Sequence, residues 1–260
     1  MKVVILCGGK GTRLHEETEF RPKPLVQVGG MPILWHIMKI YSHFGYKEFI
    51  LCLGYKGYMI KEYFLNFEYM SNDFTLDLRS KTDKIGLCNH SSLEDWKITF
   101  ADTGLNTQTG GRISMIEKYV NADEDFFLTY GDCVSNVNIN ELYAFHKMKN
   151  KTVTMTGVHP PSFFGIVTHE NGIVTSFKEK PQDESTVNGG FFVCNRKVFD
   201  YLSDDPALIF EEESLCNMVE DKEIALFNHR DFWHQMDTQK HCNALNEMWD
   251  KGNAPWKIWG

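Results

Sequence analysis

Residues 3–6 are an unbroken apolar run, Val3-Val4-Ile5-Leu6, that ends at once in a glycine-rich turn, Cys7-Gly8-Gly9-Lys10-Gly11-Thr12-Arg13-Leu14. A short strand that is apolar on both faces must be covered on both, so it belongs in the middle of a parallel sheet between layers of helix. The turn that follows holds three glycines, which lack Cβ and let backbone N–H groups close on an anion. Lys10, Thr12 and Arg13 add charged and hydroxyl donors. The spacing matches neither G-x-G-x-x-G nor G-x-x-x-x-G-K-[ST], so dinucleotide binding and P-loop ATPase chemistry are poorly supported. An ordinary tight turn is the bland alternative, but cations packed beside a buried strand end are costly unless an anion neutralises them.

The rest of the chain continues the alternation. From Pro32 the apolar positions Ile33, Ile37, Ile40 or Tyr41, and Phe44 recur at helical spacing, with Pro32 suited to the first turn and Gly45 to the C-terminal cap. A strand over 49–53, a helix over 58–64, a strand over 126–129 and a helix over 139–149 follow. Strand and helix in succession imply right-handed crossovers and a mostly parallel sheet. The stretch 67–106 is polar and only patchily apolar, and reads as a crossover plus an edge excursion. Beyond it, strands are expected over 153–158, 165–169 and 173–178, the last two joined at Asn171-Gly172, a strong hairpin signal. A strand over 191–194 and helices over 208–219 and 238–249 complete the pattern. The tail 255–259 is apolar for a terminus and is as well explained by docking onto a neighbouring subunit as by packing on its own domain.

Composition excludes several classes. A net charge of -8 argues against a nucleic-acid partner. Seven cysteines stand singly, with no C-x-x-C pair, as expected of reduced thiols in cytoplasm. No apolar run approaches the roughly 18 residues that span a bilayer, and a strand follows directly on Met1-Lys2, so neither membrane insertion nor a leader is expected.

Further motifs point to phosphate. Lys23 lies between Pro22 and Pro24, which hold it on stiff, extended backbone. Thr107-Gln108-Thr109-Gly110-Gly111-Arg112 is a second glycine pair followed by a cation, or merely a turn. Gly131-Asp132 closes the 126–129 strand at the carboxyl edge, where open α/β sheets bind ligands. Asp237 precedes the last helix. Each aspartate could be a helix cap; together, beside triphosphate-binding loops, they suit Mg²⁺, which takes one or two protein carboxylates and completes its shell with water and substrate phosphates. Glu179-Lys180-Pro181 and Asn188-Gly189-Gly190 offer a carboxylate, a cation and an amide, a set that suits a hydroxyl-rich phosphate ester but that a charged loop would also explain.

Taken together, LCGGKGTRL, RPKPL, TGGR, YGD, KEKP, NGGFF and FWHQMDT resemble the sugar-1-phosphate nucleotidyltransferases in order and spacing over nearly the whole chain. Glu16-Glu17-Thr18, the stretch 160–165 and the terminal APWKIW look like the family's cytidylyl branch. The resemblance implies a single α/β domain: a three-layer nucleotide-binding fold with a mostly parallel mixed sheet and a small β-rich excursion, in which 1–150 mainly bind nucleotide and 151–260 mainly serve acceptor binding and oligomerisation. It also implies transfer of CMP from CTP to a sugar 1-phosphate, most simply glucose 1-phosphate, by a homo-trimer or hexamer. Leu6, Cys7, Gly8, Gly9, Lys10, Gly11, Thr12, Arg13, Lys23, Thr107, Arg112 and Gly131 match the family's nucleotide contacts, Arg13 and Lys23 being the catalytic cations. Asp132 and Asp237 match its Mg²⁺ ligands, and Glu179, Lys180, Asn188 and Gly189 its acceptor contacts. Cys133, Phe163 and Ser214 depart from the family's usual glycine, arginine and proline, which leaves another phosphorylated acceptor open. The same chemistry would also serve UTP or dTTP in place of CTP, and a nucleotide-sugar sensor without turnover would keep the same pocket.

Overall fold

The computed structural model describes residues 1–79, 85–87, 94–120, 122–160, 166–178 and 186–260. Its centre is a seven-stranded sheet, with strands numbered along the chain as β1 (Val3–Cys7), β2 (Glu48–Leu53), β3 (Lys97–Asp102), β4 (Asp125–Tyr130), β5 (Val153–Val158), β6 (Val187–Asn195) and β7 (Ile224–Asn228). They lie in the order β7-β5-β6-β4-β1-β2-β3. β1 runs parallel to both neighbours, Leu6 facing Cys52 on β2 and Tyr130 on β4. β2 with β3 and β5 with β7 are also parallel pairs, and β6 alone runs against its neighbours. The mostly parallel mixed sheet expected from the sequence is thus present.

The period of two along each strand separates two cores. Val3, Ile5, Leu51, Phe127 and Phe191 face one, under the helices Ile33–His43 and Gln239–Asp250; Val4, Ile50, Phe126, Leu128 and Phe192 face the other, with Ile113, Ile116, Leu215 and Met218. The helix Ile33–His43 buries Ile33, Leu34, Ile37, Met38, Ile40 and Tyr41, begins directly after Pro32, and ends before Gly45 at φ 89°. Residues on both sides of position 150 build the one sheet, since β6 is laid directly against β4.

Several expectations need correction. The sheet has two edge strands, β3 and β7, beyond those expected from the sequence. The helix expected over 208–219 is a π-helical turn, Phe210–Ser214, running into a short α-helix, Leu215–Glu220. β6 begins at Val187, so Asn188 and Gly189 lie within a strand and not ahead of one. The apolar tail packs on its own domain: Trp256 is fully buried and its Nε1 donates to His36 Nδ1 at 3.3 Å. The β-rich excursion consists of two ribbons outside the main sheet, Phe74–Leu76 with Ile85–Leu87, and Ile166–Glu170 with Ile173–Lys178. Asn171 (φ 49°) and Gly172 (φ 82°) turn the second, as the Asn-Gly pair predicts.

Candidate active site

Along the chain the sheet grows from β1 outward to β2 and β3, then returns to place β4 on the other side of β1. That reversal opens a crevice at the carboxyl ends of β1 and β4, the place where open α/β sheets take ligands. A cavity of about 390 Å³ lies there, lined by the turn after β1, by Lys23 and Pro24, by 107–109 and Arg112, by 130–132, and by Gln235 and Asp237. Leu6, Cys7, Gly8, Gly9, Gly11, Thr12, Arg13, Lys23, Thr107, Arg112, Gly131, Asp132 and Asp237 all line this one cavity. Lys10 is exposed and is not part of that lining.

The two aspartates meet over one cation. Lys23 Nζ lies 2.6 Å from Asp132 Oδ2 and 2.9 Å from Asp237 Oδ1, and Arg13 Nη1 lies 2.5 Å from Asp237 Oδ2. Burial acts to lower the Lys23 pKa, but the two carboxylates outweigh it and hold the ammonium above its ordinary value. Neither aspartate caps a helix: Thr238 caps Gln239–Asp250, its side chain accepting from His241 N, which leaves Asp237 for the cavity. The juxtaposition comes from a short ribbon without a sequence signal of its own, in which Cys133–Ser135 pairs with Trp233–Gln235 and Met236 N donates to Asp132 O at 2.8 Å. Two carboxylates that share one ammonium can also share one metal ion, and the donor set fits Mg²⁺. Among the described residues no group of three or more metal-ligating side chains forms, so the rest of a Mg²⁺ shell would be water and phosphate.

Arg112 lines the cavity while its guanidinium is anchored within the protein. It is buried, and its guanidinium donates to Leu53 O, Thr103 Oγ1, Gly104 O and Gly8 O at 2.7–3.1 Å. All four acceptors are uncharged, so it ties the turn after β1 to the ends of β2 and β3 while adding positive charge to the cavity floor. Burial lowers its pKa from the ordinary value. The glycines follow from this packing. A Cβ on Gly8 would lie 2.2 Å from Arg112 Cζ, whereas one on Gly9 would meet nothing within 4 Å. Gly110 and Gly111 are likewise glycine because a Cβ would meet Leu208 at 2.6 Å and Asp205 O at 2.9 Å. They let the helix Thr109–Ser114 dock closely and do not themselves form an anion-binding turn.

On the acceptor side, Asn188 Nδ2 donates to Tyr130 Oη at 3.2 Å, and Gly189 O accepts from Trp233 Nε1 at 2.7 Å. Asn188 is thus tied to the cavity wall through Tyr130. Glu179, Lys180 and Phe163 lie outside the described residues. Cys133, a departure from the family pattern, is buried, and its Sγ donates to Asp132 Oδ1 at 3.2 Å. Tyr130, Thr109, Gln108, Pro24 and Gln235 are wall residues that sequence reasoning missed. Each sits inside or beside a motif already singled out, and that adjacency was the available signal.

A carboxyl-edge cavity with two cation-sharing aspartates, a glycine turn and three cations defines a phosphate-handling α/β protein, and the chain belongs to the nucleotidyl transferase family, whose model matches residues 2–245. Among its relatives, a probable glucose-1-phosphate cytidylyltransferase of Bacillus subtilis is 49% identical over 259 residues, covering 100% of both chains. The glucose-1-phosphate cytidylyltransferase of Salmonella typhi is 46% identical over 260 residues, again covering 100% of both. The fold is shared with a putative glucose-1-phosphate thymidylyltransferase from Bacillus anthracis, solved in complex with a sucrose, at a TM-score of 0.70 and 16% identity, covering 100% of this chain and 97% of that one.

Proposed function

We propose that this nucleotidyltransferase moves CMP from CTP to glucose 1-phosphate, giving CDP-glucose and pyrophosphate. Base and sugar rest on the activities named for the end-to-end relatives. The phosphate chemistry rests on one observation, the Lys23 ammonium held jointly by Asp132 and Asp237 on the cavity wall. Three cations, Arg13, Lys23 and Arg112, face two carboxylates in the lining, so the wall is net positive within a chain of net charge -8. Such local reversal suits a triphosphate.

In the reaction, an oxygen of the acceptor phosphate attacks the α-phosphorus of CTP in line. A new P–O bond forms as the bond to the bridging oxygen of the β-phosphate breaks, and the electron pair leaves with pyrophosphate. No general base is needed, because a phosphate monoester has its second pKa at about 6 and is largely dianionic at neutral pH. The chain's task is to bring two anions together and to meet the charge growing on the bridging oxygen. Lys23 commits two of its three N–H groups to the aspartates, leaving one for the α-phosphate. Arg13, with donors beyond its contact to Asp237, holds the leaving pyrophosphate. Lys180 neutralises the acceptor phosphate, and Glu179, Asn188 and Gly189 receive the sugar. Asp132 and Asp237 would hold Mg²⁺, which when bound offsets the charge of the triphosphate.

The same proposal covers the setting. Exposed apolar side chains on both ribbons, Leu76, Ile173, Val174 and Phe177 among them, support a homo-oligomer, and the resemblance to the family implies a trimer or hexamer. Unpaired thiols at Cys7, Cys52, Cys133, Cys194, Cys216 and Cys242 support a reducing, cytoplasmic location. Among the described residues no helix is long and apolar enough to cross a membrane.

Pyrophosphate release, read for CTP, UTP and dTTP each against glucose 1-phosphate and other phosphorylated acceptors, tests the assignment. Turnover fastest with CTP and glucose 1-phosphate is expected. A different best acceptor would overturn the sugar, and no release with any pair would favour a sensor over an enzyme.

A further inference from the structure

Glu211 belongs to the π-helical turn Phe210–Ser214 and has no part in the reaction described above. Its half-buried carboxylate takes one hydroxyl on each oxygen: Tyr130 Oη donates to Oε1 at 2.5 Å and Thr109 Oγ1 to Oε2 at 2.6 Å. Both donors line the cavity. Thr109 opens the helix that carries Arg112 and is itself held by Phe210 N, which donates to Oγ1 at 2.9 Å.

The consequence travels through Tyr130. A phenol has one proton, and here it is directed to Glu211, so toward Asn188 the oxygen can act only as acceptor. Asn188 must therefore present Nδ2 to it, at 3.2 Å, while its Oδ1 accepts from Gly190 N at 2.9 Å. Both ends of the amide are thus fixed, and one Nδ2 hydrogen remains for a ligand. The ring cannot easily swing away. It packs edge-on against Phe192 at 5.9 Å, and it lies so near Gly190 (φ 77°) that a Cβ there would be 2.5 Å from the ring.

The geometry points to Glu211 as a positioning residue for the acceptor: by fixing the direction of the Tyr130 hydroxyl, it secures, together with Gly190 N, which end of the Asn188 amide is offered to the phosphorylated sugar. This rests on the proposed function, in which Asn188 receives the sugar. A carboxylate can only accept here, whereas the amide of Glu211→Gln can donate to Tyr130 and release its proton toward Asn188. The amide would then have to turn and lose Gly190 N.

The test is steady-state kinetics with both substrates varied, on wild type, Glu211→Gln, Tyr130→Phe and the double variant. Either single change is expected to raise KM for the acceptor phosphate about tenfold, the scale of one lost hydrogen bond to a buried partner, and to raise it well beyond any change in KM for the nucleotide. The double variant should be no worse than Tyr130→Phe alone, because both act on the same amide. Additive losses, an equal rise in both KM values, or an acceptor KM unchanged within about twofold in variants that melt like wild type would overturn the assignment. Should Glu211→Gln fail to fold, the split in Tyr130→Phe, which keeps the ring, decides alone. Wild-type turnover with glucose 1-phosphate is the separate check on the function. If another phosphate proves to be the acceptor, the same split is read with that one.

Discussion

At the scale of single residues, the cavity is organised by where charge is held and where a Cβ is not allowed. Lys23 reads in the sequence as a cation on stiff, extended backbone; in the structure it opens a short 3-10 turn, Lys23–Leu25, and from there reaches the cavity wall. That it bridges Asp132 and Asp237 follows from contacts across 109 and 214 positions, which no local pattern encodes. Lys23→Ala or Asp237→Ala is expected to lower kcat by about a hundredfold or more without unfolding the chain, measured by pyrophosphate release and circular dichroism. The glycines of the first turn separate by role. Gly8→Ala forces its new methyl into the Arg112 guanidinium, so it should cost on the order of 2–4 kcal/mol in urea unfolding and weaken nucleotide binding. Gly9→Ala meets open space and should leave the unfolding free energy within about 0.5 kcal/mol of wild type. In sequence the two are indistinguishable members of one Gly-Gly pair, because what distinguishes them is an arginine far along the chain.

At the scale of elements, legibility tracks burial. β1 is an unbroken apolar run and β4 carries one over Phe126–Leu128, both buried on both faces, and the helix Ile33–His43 carries a full apolar stripe between a proline and a glycine, so each announces itself. β3 and β7 are edge strands, half covered and bordered by charge in Lys97, Asp102 and Glu223, and their alternation is too shallow to stand out. The three-residue ribbons carry too little sequence to have any period at all. His36 illustrates a feature only packing creates. On the buried face of its helix, its Nε2 meets Val28 O at 2.8 Å and its Nδ1 accepts from Trp256, so the neutral ring is held in one tautomer. Burial lowers its pKa from 6.5 to about 4. The unfolded chain then binds a proton that the folded chain refuses between those values. Stability from this group is complete above about pH 6.5 and is lost as pH falls toward 4, on the order of 3 kcal/mol in all. Urea midpoints taken between pH 7.5 and 4 should show that decline, and His36→Gln should flatten it.

At the scale of the whole molecule, two ribbons with exposed apolar side chains stand clear of a sheet whose own faces are covered. Such surface is costly in water and favours self-association. Light scattering should report a mass that is a multiple of the 30.1 kDa chain, and replacing Ile173 and Phe177 by Ser should lower it while the melting temperature changes by no more than a few degrees. The sequence by itself determined the α/β class, the central strands and the chemical inventory of the cavity, because hydrophobic period and the stereochemistry of glycine and proline act over a few residues. Only the tertiary structure decided that Asp132 and Asp237 share a cation, that Arg112 faces inward and that Glu211 reaches Tyr130. Those are pairings between distant segments, set by strand order and by a ribbon too short to signal itself, and no local preference carries that information.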